Sequence, residues 1–336
     1  MKKNTINDIA KLAGVSRSTV SRVLTNNPNV NPITREKIQK IIDTYNYHPN
    51  SLARGLVLGK IDVIALIIGD IRNPFYSEMT WVIENILNQN GYMVVLCDSE
   101  YMIEKEELYL EAAKQYGFAG VVLTSALEND RINAAIKSLT CPVILLNRYI
   151  KSFEGDVVIT DNFQGGYIAT KHLIELGHTK IAILTGPINS TSSLERFNGY
   201  KSALETFGLE YCEDLVAYGD LKMETGYKYG CTLLEKDKDL PTAVVAGNDL
   251  MAIGIMEAYQ KAGMSIPEHL SIIGYDDIPI SSITSINLTT VRQPFYQMGE
   301  IVPELLLKQI NNEQYSHRKI ILTPELIVRE TTKSLY

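Results

Sequence analysis

Residues 5–24, TINDIAKLAGVSRSTVSRVL, carry an apolar stripe that stops and then resumes. Ile6, Ile9, Ala10 and Ala13 recur at helical spacing and share one face. Gly14 stands where that helix must end, because it tolerates the left-handed conformation of a helix C-terminus. Val15 plugs the turn, and Val20, Val23 and Leu24 restart the stripe. Thr5 with Asp8 three residues on makes a capping box, and Ser16 caps the second helix. The pattern predicts a helix, a tight turn and a second helix. Arg17, Ser18, Ser21 and Arg22 then point outward, with no acid among them. An ordinary amphipathic helix pair inside a core has the same stripe. The outward face of hydroxyls and guanidinium groups is what a major-groove reader needs.

Asn31-Pro32 is a helix entry, with Asn as cap and Pro in the first turn. The helix predicted from there to about Tyr45 places Ile33, Ile38, Ile41 and Ile42 as a brace for the first two. Arg35, Lys37 and Lys40 lie on its polar face, within reach of phosphates. Pro49 in HPNSLARGLVLGK breaks the preceding helix, and Asn50 can cap a short new one to about Val57. Leu52, Ala53 and Leu56 form its apolar face. Gly55 and its shortness make it marginal in water, so ordering on DNA and against a partner copy is expected; a plain linker is the alternative.

From residue 61 the period changes. Short β-rich runs (61–68, 92–97, 120–125, 142–146, 157–160) alternate with amphipathic helical stretches, including Tyr76–Asn90 and Ile103–Tyr116. A second series follows at 180–186, 242–247 and 270–277. Alternating strands and helices predict parallel, doubly wound sheets, and two series predict two such subdomains with a cleft between them. In open α/β sheets ligands sit beyond the carboxyl ends of strands. The polar residues there are Asp70, Asn73, Asn147, Arg148, Asp161, Arg196, Asn248, Asp249, Asp276 and Asp277, with Phe75 and Tyr275 beside them. Asp, Asn and Arg converging on a cleft suit a polyhydroxylated ligand, and Phe75 or Phe295 can stack on a sugar face. For each single residue a helix cap or loop hydrogen bond is the alternative, above all for Asn248-Asp249 and Asp161-Asn162.

Charge sharpens the division. Residues 1–60 hold ten Lys or Arg against three acids (Asp8, Glu36, Asp43), a net +7. With −7 overall, the rest carries −14. A basic module on an acidic body offers one end to nucleic acid. The 336 residues suit two or three domains, and the 45% apolar content is ordinary for a globular protein. No run approaches the roughly 20 apolar residues of a membrane span. Two lysines near the start precede no apolar segment, so no signal peptide and a cytoplasmic location are expected. The four cysteines (Cys97, Cys141, Cys212, Cys231) are widely spaced, and neither a disulfide nor a metal site nor any cofactor is expected.

These segments, TINDIAKLAGVSRSTVSRVL, NPITREKI and YHPNSLARGL, together resemble the headpiece of lactose-repressor family transcription regulators, and the body is similar to that family too. The resemblance implies an all-helical DNA-binding headpiece with hinge helix (1–60, hinge about 50–57) and a two-lobed body like periplasmic sugar-binding proteins. The body's lobes would take about 61–160 and 292–321, and about 161–290 and 322–336, with crossings near Asp161, Thr290 and Leu322. It implies DNA contacts from Thr5, Ser16, Arg17, Ser18, Thr19, Ser21, Arg22, Asn29, Asn50, Ala53 and Leu56. The leucine matching Leu56 would wedge into the minor groove at the centre of a palindromic operator bound by a homodimer. It implies effector contacts from Asn73, Phe75, Asn147, Arg148, Ser192, Arg196, Asn248, Asp276 and Phe295. Leu221 stands where several relatives place an aromatic, which leaves sugar stacking at that wall in doubt.

The expected function is a repressor of sugar-utilisation genes controlled by a sugar or sugar phosphate in the cleft. The alternative is a catabolite-control regulator that takes a phosphorylated carrier protein as corepressor. An enzyme is not expected: neither phosphate-loop motif, no G-x-S-x-G elbow and no H-E-x-x-H occurs. A free sugar-binding transport protein is disfavoured by the basic headpiece and the missing signal peptide.

Overall fold

The structure, a computed structural model, describes residues 5–24, 27–45, 47, 61–235, 238, 240–314 and 316–336. It divides into two compact units, Met1–Ile61 and Asp62–Tyr336. The expected hinge segment, with Asn50, Ala53 and Leu56, lies outside the described residues.

The small unit is three helices, α1 (Ile6–Ala13), α2 (Arg17–Leu24) and α3 (Pro32–Thr44). The capping box forms: the Asp8 amide donates to Thr5 Oγ1, and the Thr5 amide donates to the Asp8 carboxylate at 2.8 Å. Gly14 ends α1 at φ 67°, as the turn requires. Ile9, Ala10, Ala13, Val20, Val23, Val30, Ile38 and Ile42 make the core. Ile33 departs from expectation and is 79% exposed. Five helical positions separate it from Ile38, which turns it about 140° from the buried face. Asn31 caps α3 as expected, its Oδ1 accepting from the Ile33 amide.

The large unit holds two six-stranded sheets of one design. In the first lobe β1 (Ile61–Ile68), β2 (Met93–Asp98), β3 (Phe118–Leu123), β4 (Val143–Leu146) and β5 (Asp156–Thr160) are joined by β11 (Lys319–Leu322), in the order β11-β5-β4-β3-β1-β2. In the second, β6 (Ile181–Thr185), β7 (Val216–Tyr218), β8 (Ala243–Ala246), β9 (Ser271–Asp276), β10 (Thr290–Arg292) and β12 (Glu325–Ile327) take the order β12-β10-β9-β8-β6-β7. β1 with β2, β3 with β4, β4 with β5, β5 with β11, β6 with β7, β6 with β8, β8 with β9 and β9 with β10 pair in parallel, and β10 with β12 is antiparallel. Because β10 belongs to the second sheet, the crossing expected near Thr290 falls after Arg292.

Strands buried on both faces read as continuous apolar runs, which is why β1, β4, β6 and β8 were visible in the sequence. In each sheet the strand order reverses at one place, between β1 and β3 and between β6 and β8. The carboxyl ends there form the crevice that holds ligands in such folds. Among the helices that start at this level, α4 (Pro74–Gln89) is capped by Asn73, α7 (Asn162–Glu175) by Asp161, and α10 (Asp249–Lys261) by Asn248. The others between them are α5 (Ile103–Tyr116), α6 (Asp130–Lys137), α8 (Thr191–Thr206) and α9 (Met223–Leu234); α11 (Phe295–Ile310) follows β10. One apolar cluster runs through both lobes, from Ile64 and Met79 to Leu184, Val244 and Met298.

Candidate DNA-binding face and interlobe cleft

On α2, Arg17, Ser18, Ser21 and Arg22 are all exposed, while Val20 and Val23 are buried. At about 100° per residue the four make one contiguous face. Ser16 caps the helix, its Oγ accepting from the Thr19 amide at 3.2 Å. The same hydroxyl lies 2.7 Å from Ser18 Oγ and 2.9 Å from Thr19 Oγ1, so three hydroxyls are linked at the helix start. Thr19 is only half-exposed, and its hydroxyl is engaged in that network. Thr5 and Asn29 are exposed at loop ends. On α3, Arg35 is half-buried and donates to the Asn27 carbonyl, whereas Lys40 pairs with Glu36 at 3.0 Å on the surface.

In the body the chain brings Arg196, Asp276 and Asn73 together from three elements. Arg196 is 8% exposed. Its Nε donates to Asn162 Oδ1 at 2.8 Å, its Nη1 to the Gly247 carbonyl at 2.6 Å, and its Nη2 lies 3.8 Å from Asp276 Oδ1. The Tyr275 ring lies 3.6 Å beneath the guanidinium. Such a guanidinium is held on every side before any ligand arrives. Gly166 makes this possible: a Cβ there would stand 2.1 Å from the Arg196 carbonyl oxygen, so only glycine lets α7 approach α8 so closely.

Asp276 stands at φ 117°, a backbone conformation that L side chains rarely adopt. Gln293 donates to its Oδ1 at 2.6 Å and accepts from Thr160 Oγ1 at 2.7 Å, which ties the second lobe to the end of β5 in the first. Asn73, at the head of α4, lies close enough to Asp276 to favour its charged form. Burial pushes the Asp276 carboxyl up to about 6, against the pull of Arg196, Gln293 and Asn73.

Asn147 and Arg148 follow β4, both buried, with Arg148 over the Tyr101 ring at 4.6 Å. The remaining expected residues have other engagements. Asn248 caps α10 with its Oδ1 and donates from Nδ2 to the Leu221 carbonyl at 2.9 Å. Ser192 is buried at 2.9 Å from Ser190 Oγ. Phe75 packs edge-on to Tyr76 in the core, and Phe295 is half-buried against Tyr296. Asp70 holds Arg72 with both carboxylate oxygens at 2.8 Å. Asp277 serves the fold, bracing Arg292 and Arg329. Among the described residues no group of His, Cys, Asp or Glu could hold a metal ion.

Sequence reasoning passed over Gln293, Tyr101 and the part that Asn162 plays under Arg196. Gln293 was hidden because β10 is three residues long and carried no strand signal. Gly165-Gly166 inside a helix was a usable signal, since each costs about 1 kcal/mol relative to Ala and so marks a close approach.

A helix–turn–helix module with a basic, acid-free outer face, followed by a two-lobed α/β body with buried polar residues at its strand ends, defines a DNA-binding regulator. The family model of bacterial regulatory proteins of the lacI family matches residues 5–50, and that of periplasmic binding proteins and the sugar-binding domain of the LacI family matches residues 61–330. The chain belongs to the lacI family of transcription regulators, which are not enzymes. It is 33% identical to the HTH-type transcriptional regulator DegA of Bacillus subtilis over 336 residues, covering 99% of each chain. It is 36% identical to the ribose operon repressor of Halalkalibacterium halodurans over 329 residues, covering 98% of this chain and 97% of that one. The lac repressor dimer bound to operator and the anti-inducer ONPF superposes with a TM-score of 0.86 at 27% identity, over 99% of this chain and 100% of that one. Among the described residues no helix is long and apolar enough to cross a membrane.

Proposed function

We propose that this regulator represses sugar-utilisation genes from the cytoplasm, as a homodimer on a palindromic operator, under control of a sugar effector in the interlobe cleft. The observation that carries the effector reading is the buried Arg196–Asp276 pair with Asn73 and Gln293 converging on it from the other lobe's side. Carboxylate and guanidinium side by side, with amides around them, match adjacent sugar hydroxyls. The name of the ribose operon repressor makes D-ribose the first sugar to try.

Thr5, Ser16, Arg17, Ser18, Thr19, Ser21, Arg22 and Asn29 form the DNA face of the described headpiece, and Asn50, Ala53 and Leu56 would extend it. A second copy has a place to dock. Edge strand β2 exposes Met93, Val95 and Leu96, and α4 beside it exposes Trp81 at 63%. An uncovered apolar edge of this kind favours pairing.

In this reading a ligand competing for the Gln293 bond to Asp276 alters how the lobes meet. The change reaches the hinge segment and alters operator affinity. A coupling of about 1–3 kcal/mol suffices.

The test is fluorescence anisotropy at one stated salt concentration. The DNA is the site enriched from a randomised duplex pool, with and without D-ribose, other sugars and sugar phosphates. An enriched two-fold site whose affinity shifts at least fivefold with one sugar is the expected result. An enriched site indifferent to every sugar would refute the effector reading. Arg17→Ala should weaken binding to that site by roughly 1–3 kcal/mol and relax preference at one base pair. Equal weakening on all sequences would make Arg17 a phosphate contact instead.

The Asp276 carboxyl gives a pH signature. Its charged form accepts from a sugar hydroxyl, and its value of about 6 means that protonation removes the acceptor as pH falls through 6. Effector affinity should be level above about pH 7 and fall about tenfold per pH unit well below 6. Calorimetric titration from pH 5 to 8 checks this, and a flat profile excludes Asp276 as an ionised acceptor.

A further inference from the structure

We propose that Tyr101 is a positioning residue that fixes Arg148, so that the Asn147–Arg148 pair presents one acceptor and one donor to two adjacent hydroxyls of the effector. The inference rests on the reading of the cleft as the effector site.

The turn after β4 is built to aim two consecutive side chains. Asn147 stands in the left-handed region at φ 66°, and the Arg148 amide returns to the Leu146 carbonyl at 2.8 Å. Asn147 Oδ1 and Arg148 Nε are both buried without a hydrogen-bond partner. Arg148 is 2% exposed. Its one hydrogen bond, from Nη1 to the Ser125 carbonyl, is long at 3.4 Å. Among the described residues no carboxylate lies within ion-pair distance of Arg148; the buried Glu106 carboxylate acts on it only at longer range. A buried guanidinium this poorly satisfied is costly unless something else completes it.

What holds its plane is the Tyr101 ring, 4.6 Å from the guanidinium carbon. Tyr101 is itself fixed at three points. Its hydroxyl lies 3.2 Å from that of Tyr76. Its ring lies against Gly69 at the end of β1, where a Cβ would come within 2.1 Å of Cε1. Its backbone, like that of Glu100 before it, is left-handed, at φ 58°. A bulky residue keeps that conformation only where its surroundings impose it, which is a mark of ligand clamps. Ser125 completes the clamp from behind, its hydroxyl donating to the buried Glu106 carboxylate and lying 3.0 Å from Ser99 Oγ.

A donor and an acceptor on neighbouring residues suit a vicinal diol, in which one hydroxyl accepts and the next donates. A phosphate, which only accepts, would leave Asn147 Oδ1 facing an oxygen. A neutral diol therefore matches both groups at this end of the cleft, whereas a phosphate would leave Oδ1 unmatched.

The test is calorimetry on the full chain with D-ribose, D-glucose and D-galactose, each against its 2-deoxy and 3-deoxy forms. The wild-type protein should prefer one hydroxylated sugar over a deoxy form at least tenfold. Tyr101→Phe keeps the ring face and should keep that preference within threefold. Tyr101→Leu should cut it below threefold while the deoxy sugar binds within threefold of its wild-type affinity, which also shows that the variant is folded. If Tyr101→Leu keeps the preference, or loses both sugars equally, the positioning role is overturned. Discrimination of no pair by the wild-type protein overturns the diol assignment. Arg196→Ala separates the underlying reading: if it binds both sugars as the wild type does, the cleft is not the effector site, whatever Tyr101→Leu does.

Discussion

Arg196→Ala should raise the effector Kd at least a hundredfold and abolish the effector response, while operator affinity in the absence of effector stays within threefold. The guanidinium has four simultaneous engagements: Asn162, the Gly247 carbonyl, Asp276 and the Tyr275 ring. Truncation removes them together and leaves Asp276 buried beside no cation, a loss of about 3 kcal/mol or more by comparison with other broken buried pairs. Asp276 would answer by binding a proton, because burial already pushes its carboxyl up to about 6 with Arg196 present. Arg196→Lys should not rescue, since an ammonium cannot meet Asn162 and Gly247 with a planar fork. Calorimetry for the effector and anisotropy for the operator check both halves. A variant that still responds at the wild-type effector concentration would sink the cleft assignment.

Asp249→Ala should lower unfolding free energy by about 3 kcal/mol. Asp249 is fully buried and organises three donors. Thr290 Oγ1 donates to it at 2.5 Å, Ser281 Oγ at 2.7 Å and the Ile278 amide at 2.9 Å. Alanine leaves all three without an acceptor in a dry interior. Burial first, and the nearby Asp276 charge second, push the Asp249 carboxyl up to about 7. The sign follows. A carboxyl raised in the folded state stabilises it below the unfolded value near 4, and that contribution is lost as pH rises through 7. Urea unfolding at pH 5, 6, 7 and 8 should show the wild type losing stability across that window and Asp249→Asn losing less. A wild-type slope equal to that of Asp249→Asn would refute the ascription to Asp249.

What could be read in advance was local. The Thr5–Asp8 box, the Gly14 stop and the Asn31-Pro32 entry each depend on two or three neighbouring residues, and α5 begins and ends at the predicted positions. The long apolar strands were legible because both faces are buried. Strands β7, β10 and β12 span three residues each, too few for any period to show, so only pairing partners distant in sequence define them. The cleft was half legible for the same reason. Asp276 ends β9 and could be picked out there, whereas Arg196 stands in the second turn of α8, where the sequence suggested a loop. That Asn248 serves the α10 cap and the Leu221 carbonyl depends on contacts outside its own segment. So does the part played by Gln293, whose partners Thr160 and Asp276 come from different lobes.

The interleaving of the two sheets also bears on synthesis. Strand β11 closes one edge of the first sheet beside β5, and β12 closes one edge of the second beside β10. Both lie beyond residue 318. A ribosome must therefore release the chain past residue 318 before either lobe can be completed, and until then β5 and β10 offer open edges to other nascent chains. A message cut short before residue 319 would yield two unfinished sheets rather than one finished lobe. The headpiece, whose core draws only on residues up to 47, needs none of that delay and can fold while the body is still being made.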